Sequence, residues 1–453
     1  MSAVRHRTWP PPTAVASVAA AVLIGALLAL KPVVGAALIG AVLFAYVVMV
    51  DVALGVALWI PALFVRPGVV TSLMGLGIAA AWLGSLVRLR PPLRQLLPGQ
   101  RILVGSVALF LMWLALSVLW ARDPHVGWDV LRTWMTACAA MIVVASTITT
   151  PGRVRLVLAA FVLGAVVSVG VGVAQHQAAG RFGGAEGNPN DLAAQLLPVI
   201  VLSLALIADR RRGFERAVLG GAAAVLTIGL VATQSRGGAL AAVAVVLAAI
   251  ILYRRQLRRV LLALALVATV AGIWFAASPS AFHRVTSFGS GGTGRTTLWE
   301  VAWRIAADHA PVGVGLDNFR VVSQDYVRRP GMLRYVSQIE SPHVVHDTYL
   351  QLLAETGVPG LGLFLTAVIA ALAAAHRAAR QFARAGRHDL AGLARAVLLA
   401  TVGILAAQLF QSNGYDMFLW ILLGLGPALL AVSVVPALDA RRRVADVPAP
   451  SQS

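Results

Sequence analysis

Apolar runs of about 17–25 residues alternate with short polar segments along this chain, and a run of that length crosses a bilayer core as one helix. The runs predict spans near 13–30, 33–50, 52–65, 69–87, 102–120, 131–148, 154–174, 191–208, 217–233, 237–252, 260–277, 355–375, 395–411 and 417–436. The run 52–65 is short, and Asp51 and Pro61 interrupt this region, so it can instead form a bent or re-entrant pair. The pattern predicts an all-α polytopic membrane protein with about 12–14 transmembrane helices.

Arginine clusters orient these spans, because cytoplasmic loops of membrane proteins are enriched in basic residues. The clusters lie at 5–7, 88–101, 153–155, 210–216, 254–259, 377–395 and 441–443, on one side of an alternating path. Both termini are therefore predicted to be cytoplasmic. The domains that follow are a helix bundle over 1–277, an extracytoplasmic loop over 278–354, further spans over 355–436, and a cytoplasmic tail over 437–453 that is predicted to be disordered.

The loop 278–354 is the one long extramembrane segment that the pattern predicts. Its glycine-rich stretch 289–294 indicates a hinge, and the following residues place Leu298, Val301, Ala302 and Ile305 on one helical stripe. We expect this helix to lie in the membrane interface, with Trp299 and Trp303 at headgroup depth. Residues 313–319 indicate a turn. The basic residues of the loop suit anionic lipid headgroups.

Composition supports the membrane assignment and narrows the classes of partner. The chain is 59% hydrophobic and 12% charged, and its formal net charge is +19. Nucleic-acid binding is not indicated, because the basic residues are distributed between apolar runs. The one cysteine, Cys138, lies in an apolar run, so no disulfide or cysteine metal site is expected. The sequence also lacks a phosphate-binding Walker loop, a dinucleotide fingerprint and an outward carboxylate pair for a metal.

Two arginines are candidate ligands for an anion. Arg236 lies in a tight turn between two apolar runs, and Gly237 and Gly238 after it allow a close approach to the backbone. Its planar guanidinium suits phosphate, although an arginine that reaches to the headgroups is the simpler alternative. Arg295 opens the loop helix, where side chain and helix amides can face the same anion. A solvated arginine at a helix start is the alternative there.

The most distinctive stretch is 341–361, where a polar segment meets an apolar helix. His346 is a candidate general base, because the pKa of an unperturbed imidazole lies near neutrality. His343 is a possible helper, and Asp347 either orients the imidazole or a substrate hydroxyl or is an ordinary acidic residue of a first turn. Gly357 and Gly360 are expected to shape the turn into the next span. At 187–191, Asn188, Asn190 and Asp191 precede a helix, with Asn190 or Asp191 as its expected cap.

Together these motifs resemble the O-antigen ligase and O-antigen polymerase superfamily, membrane glycosyltransferases with the GT-C type of architecture. The ligase motif consists of a histidine, a small polar residue, nine further residues and then Gly-x-x-Gly. In this chain the motif is matched in that order by His346, Asp347, residues 348–356, Gly357 and Gly360. Asp347 departs from the Asn, Ser or Gln that is usual there. Residues 235–238 are similar to the family's arginine-bearing helix junction, and residues 294–299 are similar to the arginine at the start of its outer loop. Residues 187–191 are similar to a segment common in its polymerase-type members. The resemblance therefore covers roughly 180–375.

The resemblance implies an inverting, metal-independent transfer of glycan from a polyprenyl-diphosphate donor to a lipid or glycan acceptor. His346 would deprotonate the acceptor hydroxyl, while Arg236 and Arg295 would hold the diphosphate. An activated lipid also suits an enzyme on the outer face of the cytoplasmic membrane, where nucleotide donors and other cofactors are not expected. The sequence leaves open ligation against polymerisation. Alternatives are a glycolipid or polysaccharide transporter without catalysis, and a membrane scaffold or sensor with a basic outer domain.

Overall fold

The computed structural model describes residues 31–65, 68–89, 99–175, 181–254, 257–277, 295–327 and 343–445. The regular secondary structure of these residues is helical. The helices are α1 Pro32–Val50, α2 Val52–Val65, α3 Val69–Leu89, α4 Arg101–Ser117, α5 Pro124–Thr147, α6 Pro151–Ala174, α7 Pro189–Asp209, α8 Gly213–Ala232, α9 Arg236–Leu252, α10 Leu257–Ala277, α11 Arg295–Asp308, α12 Phe319–Val327, α13 Thr348–Arg384, α14 His388–Ala407 and α15 Met417–Ala445. Three-residue 3₁₀ turns lie at Val118–Trp120, Gly184–Glu186 and Gln408–Phe410.

The predicted all-α polytopic membrane fold is confirmed. Within the described residues, nine helices are long and apolar enough to cross a membrane, namely α3–α8 and α13–α15, and α1, α2 and α9 are shorter apolar helices. The interrupted region forms two helices that meet at Asp51, while Pro61 lies inside α2. The predicted span 13–30 and the hinge 289–294 lie outside the described residues.

Two boundaries differ from the predicted domains. Helix α13 begins at Thr348 and therefore crosses the predicted boundary between the loop and the last spans at 354/355. Helix α15 continues to Ala445, into the segment predicted as a disordered tail. In both cases the apolar pattern marks the membrane-length part of a helix, and the helix itself extends beyond that part.

Three of the predicted cytoplasmic segments meet the α1–α2 junction at one end of the bundle. Arg153 Nη2 lies 2.8 Å from Asp51 Oδ2 at the α1–α2 junction. Arg155 pairs with Asp209 at the end of α7 (2.8 Å) and with Asp389 at the start of α14 (3.0 Å). The start of α6, the end of α7 and the start of α14 therefore lie together, as the alternating path requires.

Helix α13 lies at the centre of the structure, packed against α4, α14 and α15 and also against the loop helix α11. An aromatic cluster joins it to its neighbours. The ring of Phe110 on α4 lies 5.1 Å from that of Trp134 on α5, and Trp134 lies 6.1 Å from Phe364 on α13 and 6.0 Å from Trp420 on α15. These edge-on contacts fix α13 relative to three membrane helices.

The loop helices pack onto this bundle. Leu298, Val301, Ala302 and Ile305 are all buried, as the helical stripe predicts. They form a small core with residues of α12 and α13, including Phe319 and Ala354. The stripe therefore packs against protein, through an apolar partner formed by distant residues that the local period does not reveal. The location of this helix in the membrane interface stays a prediction. Trp303, on the opposite side, is exposed.

Helix α13 is interrupted at Gly357, whose φ of 67° and ψ of −167° are not helical. The interruption removes helical partners from several backbone groups. The Val358 N–H donates to the carbonyl of Pro311 (2.9 Å), and the freed carbonyls of Ala354 and Glu355 accept from Val314 (3.0 Å) and Gly315 (2.8 Å). The segment 311–315 thus replaces the missing bonds, which is essential for backbone away from water.

The turn predicted over 313–319 is the part of the chain that fills this interruption. Gly313 and Gly315 have positive φ, and Asp317 has a φ of 54°. The Asp317 N–H donates to Glu355 Oε2 (3.0 Å), and Asn318 Nδ2 donates to the carbonyl of Asp123 (3.0 Å) at the start of α5. The turn therefore joins α13 to the start of α5.

We predict that Gly357→Ala is strongly destabilising. An added Cβ would overlap the carbonyl oxygen of Pro311 and place a side chain at positive φ, and strain of this kind costs about 1–3 kcal/mol before the overlap is counted. Thermal unfolding of the purified protein in detergent should show a lower transition for this variant. Gly362→Ala is the control, because that glycine lies in the same helix with no atom within 4 Å of the added Cβ. Equal transitions in both variants would contradict the role of Gly357.

Candidate active site

The first part of the site is the tight turn that begins α9. Gln234 has a φ of 50°, and the Ser235 hydroxyl caps the helix by accepting from the Gly238 N–H (3.2 Å). Arg236 occupies the first helical position and is half-buried. Cβ atoms at Gly237 and Gly238 would press against Phe410 and Ala193 respectively. The two glycines therefore let α9 approach protein neighbours closely, rather than a ligand.

The segment 181–191 lies against this turn. Asn188 caps α7 by accepting from the N–H groups of Asn190 (3.0 Å) and Asp191 (3.4 Å), so the expected cap at Asn190 or Asp191 is wrong by two or three positions. The reason is that the helix begins at Pro189, which favours the first helical position, so the capping residue is Asn188 immediately before it. Asn190 Oδ1 instead accepts from the Ser235 hydroxyl (3.0 Å).

Arg181 belongs to the same network, although the sequence analysis did not single it out. Its Nη2 donates to Asn190 Oδ1 (2.6 Å), and its Nε donates to the carbonyl of Thr233 (3.0 Å). It therefore ties the start of α7 to the turn that carries Arg236. A sequence signal was present, since Arg181 is a charged residue between two apolar spans.

Arg295 lies across from this turn, at the start of α11. A cleft, called here the first cleft, is lined by Asn190, Ser235, Gly237, Gly238, Arg295, Ala407, Phe410 and Gln411. The lining includes residues of the first turns of α7, α9 and α11, so three helix amino termini converge on it. Each carries a partial positive charge from its backbone N–H groups. Arg295 lines this cleft and three helix amino termini meet there, so the cleft suits an anion, and half-buried Arg236 lies between two of the lining residues.

His346 lies immediately before α13 with a φ of 58°. Its backbone N–H donates to the Ser412 hydroxyl (2.8 Å). The side chain is half-buried, and burial lowers the pKa of the imidazole below its ordinary value of 6.5, with the positive charges of Arg295 and His343 lowering it further. The imidazole is therefore neutral at pH 7, the form that can accept a proton. His343 is also half-buried in this segment.

Asp347 and the two motif glycines have structural roles. Asp347 Oδ1 caps α13, since it accepts from the N–H groups of Tyr349 and Leu350 (both 2.9 Å). Gly357 forms the helix interruption, and Gly360 makes room for the Thr356 hydroxyl, which a Cβ would overlap. The two glycines of the motif are therefore required by the shape of α13, one for its interruption and one for the close contact with Thr356.

The polar segment 411–413 joins these parts, although the sequence analysis did not single it out. Gln411 Nε2 donates to Asp191 Oδ1 (3.1 Å), and Ser412 anchors His346. The Thr348 hydroxyl donates to the carbonyl of Gln411 (2.7 Å). The available signal was the run of polar residues 411–413 at the end of an apolar helix. Within the described residues, no group of three or more His, Cys, Asp or Glu side chains is placed to hold a metal ion.

Residues 221–365 match the family model described as O-antigen ligase. This confirms the resemblance drawn from the sequence, and the matched range contains Arg236, Arg295, His346, Gly357 and Gly360. Asn190 and the segment 408–413 lie outside it. A comparison with curated proteins finds no match. The match shows that this part of the chain is similar to an O-antigen ligase domain.

We predict that the pKa of His346 lies below 6.5 and rises in the Arg295→Gln variant, because removal of the nearby positive charge stabilises the imidazolium. Nuclear magnetic resonance of histidine-labelled protein, with His346 assigned by its loss in His346→Ala, measures the titration. Arg304→Gln is the matched control, since Arg304 lies on the same helix and pairs with Glu300. An unchanged pKa in Arg295→Gln would contradict the proximity of the two groups.

Proposed function

We propose, on the premise that residues 221–365 are similar to an O-antigen ligase domain, that this protein transfers or polymerises glycan from a polyprenyl-diphosphate donor. In this proposal it is a multi-pass protein of the bacterial cytoplasmic membrane, with both termini in the cytoplasm and the site on the outer face. His346 is the general base, and Arg236 and Arg295 bind the diphosphate. The acceptor is a lipid or a glycan.

The observation that carries the proposal is the convergence of positive groups on the first cleft. The cleft is lined by Arg295 and by the residues on both sides of Arg236, and the amino termini of α7, α9 and α11 meet there. A diphosphate leaving group gains negative charge as its bond to the sugar breaks. At an effective dielectric constant near 20, one guanidinium at about 4 Å stabilises a unit charge by roughly 4 kcal/mol.

His346 supplies the second requirement of the reaction. Its lowered pKa keeps the imidazole neutral, so it can take the proton of an acceptor hydroxyl as the oxygen bonds to the sugar. The bond from the sugar to the diphosphate oxygen breaks on the opposite face, and polyprenyl diphosphate leaves with the electron pair. Attack opposite the leaving group inverts the anomeric centre. Arginine charges take the part that a metal ion has in other diphosphate-releasing enzymes, so the proposed transfer is metal-independent.

A transporter would use the same arginines to bind a diphosphate lipid but would not require a base. The neutral His346 beside Arg295 therefore favours the glycosyltransferase. Removing the imidazole alone should stop a glycosyltransferase but leave a transporter active.

We predict that His346→Ala abolishes glycan transfer by the reconstituted protein, with a loss of at least about 100-fold as is typical of a missing general base. Binding of the lipid-linked donor should remain, because the arginines are unchanged. His125→Ala is the control, since His125 is an exposed residue at the start of α5. Full transfer by His346→Ala would remove the general-base assignment, and a lipid-transport activity that survives in it would favour the transporter.

We also predict that Arg236→Lys loses most of its activity although the charge is kept, because lysine lacks the planar fork that binds two phosphate oxygens at once. Donor titration of the reconstituted enzyme should show a higher KM for the donor and a lower kcat. Arg304→Lys is the matched control, outside the first cleft. Near-normal turnover in Arg236→Lys would support an arginine that only reaches to the headgroups.

A further inference from the structure

We propose that Ser412 is a positioning residue of the transfer reaction, because its hydroxyl holds the backbone of His346 near the first cleft. This inference rests on the proposed function, since Ser412 acts through the base that is assigned there. Residue 412 lies outside the range 221–365 that matches the family model, and no sequence motif singles it out.

His346 has a backbone conformation that needs support from outside its own segment. Its φ is 58°, and a non-glycine residue keeps such a φ only where the surrounding structure holds it. His346 lies one residue before Asp347, the cap of α13, so its N–H is not part of the helical hydrogen-bond pattern. The N–H instead donates to the hydroxyl of Ser412 (2.8 Å), which lies 66 residues further along the chain. Without this acceptor the backbone can leave the positive-φ region, and the Cα–Cβ bond that aims the imidazole turns with it.

Ser412 is itself held on both sides by buried side chains. The carbonyl of Gln411 accepts from the Thr348 hydroxyl (2.7 Å), and the carbonyl of Asn413 accepts from Gln408 Nε2 (2.6 Å). The Asn413 N–H donates to Thr348 Oγ1 (3.1 Å). Thr348 and Gln408 are 3% and 1% exposed. Because the neighbours of Ser412 are bonded to buried groups, its hydroxyl is an acceptor in a fixed position.

The same segment relates His346 to the first cleft. Gln411 lines this cleft together with Arg295, and Gln411 Nε2 donates to Asp191 Oδ1 (3.1 Å) at the start of α7. Ser412 follows directly in the chain, so one peptide unit joins the wall of the first cleft to the acceptor that holds His346. The positive charge of Arg295 also acts on the imidazole. The reaction requires a fixed distance between base and leaving group, since a misplacement of about 1 Å can lower a rate by about 100-fold.

The space around Ser412 allows the hydroxyl to be tested apart from the shape of the side chain. Ser412 is half-buried and lines a second cleft with a volume of about 20 Å³, which is room for about one water molecule. A β-branched side chain can extend into this space. Threonine and valine have the same shape, and only threonine keeps a hydroxyl that can accept the His346 N–H. The pair Ser412→Thr and Ser412→Val therefore isolates the hydrogen bond.

The first measurement needs no substrate. Nuclear magnetic resonance of the full-length, histidine-labelled protein in lipid nanodiscs follows the titration of His346, which is assigned by its loss in His346→Ala. The charged groups that act on this imidazole are Arg295 of α11 and His343 of its own segment, and together with burial they lower its pKa. Ser412→Val should raise that pKa toward 6.5, because an imidazole that turns away leaves both charges and its half-buried position. Ser412→Thr should keep the lowered pKa.

The second measurement is turnover by the same proteins. The substrate is lipid-linked glycan extracted from membranes of a source strain that lacks this protein, together with the acceptors in that extract. Ser412→Val should lower kcat by about 100-fold and leave KM for the donor unchanged, because Arg236 and Arg295 are intact. Ser412→Thr should restore most of the lost kcat. Ser433→Ala is the unchanged control, since its hydroxyl donates to the carbonyl of Leu430 (2.7 Å) within α15, outside the first cleft.

A smaller variant covers the case in which either larger side chain lowers the thermal unfolding transition. Ser412→Ala only removes an atom, so it adds no new contact. It should lower kcat about tenfold, the effect of one lost hydrogen bond, and raise the pKa of His346. Wild-type values of both quantities in Ser412→Ala would then overturn the inference.

The outcomes separate this inference from the proposed function. An unchanged kcat or an unchanged His346 pKa in Ser412→Val overturns the role of Ser412. Equal losses in Ser412→Val and Ser412→Thr also overturn it, because they would reflect packing alone. In each of these cases a loss of transfer in His346→Ala keeps the proposed base. Full transfer by His346→Ala, or no transfer by the wild-type protein, contradicts the proposed function itself, and the positioning role falls with it.

Discussion

The interruption of α13 at Gly357 is the constraint on which the rest of the site depends. A helix broken near a membrane must find new partners for the backbone groups it frees, because little water is available to solvate them. Here four of these groups are bonded from elsewhere. Pro311, Val314 and Gly315 bond the freed groups of residues 354–358, and the Trp113 indole N–H on α4 donates to the carbonyl of Thr356 (2.8 Å). The outer segment and the membrane bundle are therefore joined by main-chain bonds at one point.

This junction explains how Arg295, which belongs to the long outer loop, is held in a fixed position. The segment 311–318 bonds α13 on one side and Asp123 on the other, and α11 packs its apolar stripe against the same helix. Arg295 at the start of α11 is thus held relative to His346 at the start of α13. The proposed binding of a diphosphate in the first cleft depends on this rigidity, since the attraction between a guanidinium and an anion falls with their separation.

The sequence alone predicts much of this fold, and it singles out Arg295 and His346, which the structure brings near each other. Apolar run length identifies the membrane helices, and the stripe from Leu298 to Ile305 correctly predicts the buried face of α11. The partner of that face could not be predicted, because it is formed by residues such as Ala354 that are distant in the chain. The roles of Asn190 and Gln411 were missed for the same reason, since their partners Ser235 and Asp191 come from other helices. Local spacing also suggested Asp347 as an active group, although its carboxylate caps a helix.

Backbone strain in the described residues lies close to the first cleft and to the two ends of the first part of α13. The non-glycine residues with positive φ there are Gln234, Asp317 and His346, and each such residue costs on the order of 1–3 kcal/mol unless its surroundings hold it. Gln234 precedes the turn of Arg236, Asp317 bonds Glu355 two residues before the interruption at Gly357, and His346 lies just before α13. Hydrogen bonds to other segments hold two of them, since the His346 N–H donates to the Ser412 hydroxyl and the Asp317 N–H donates to Glu355 Oε2. A chain retains such strain only where the surrounding structure holds it, and these three positions adjoin segments that the sequence motifs also single out.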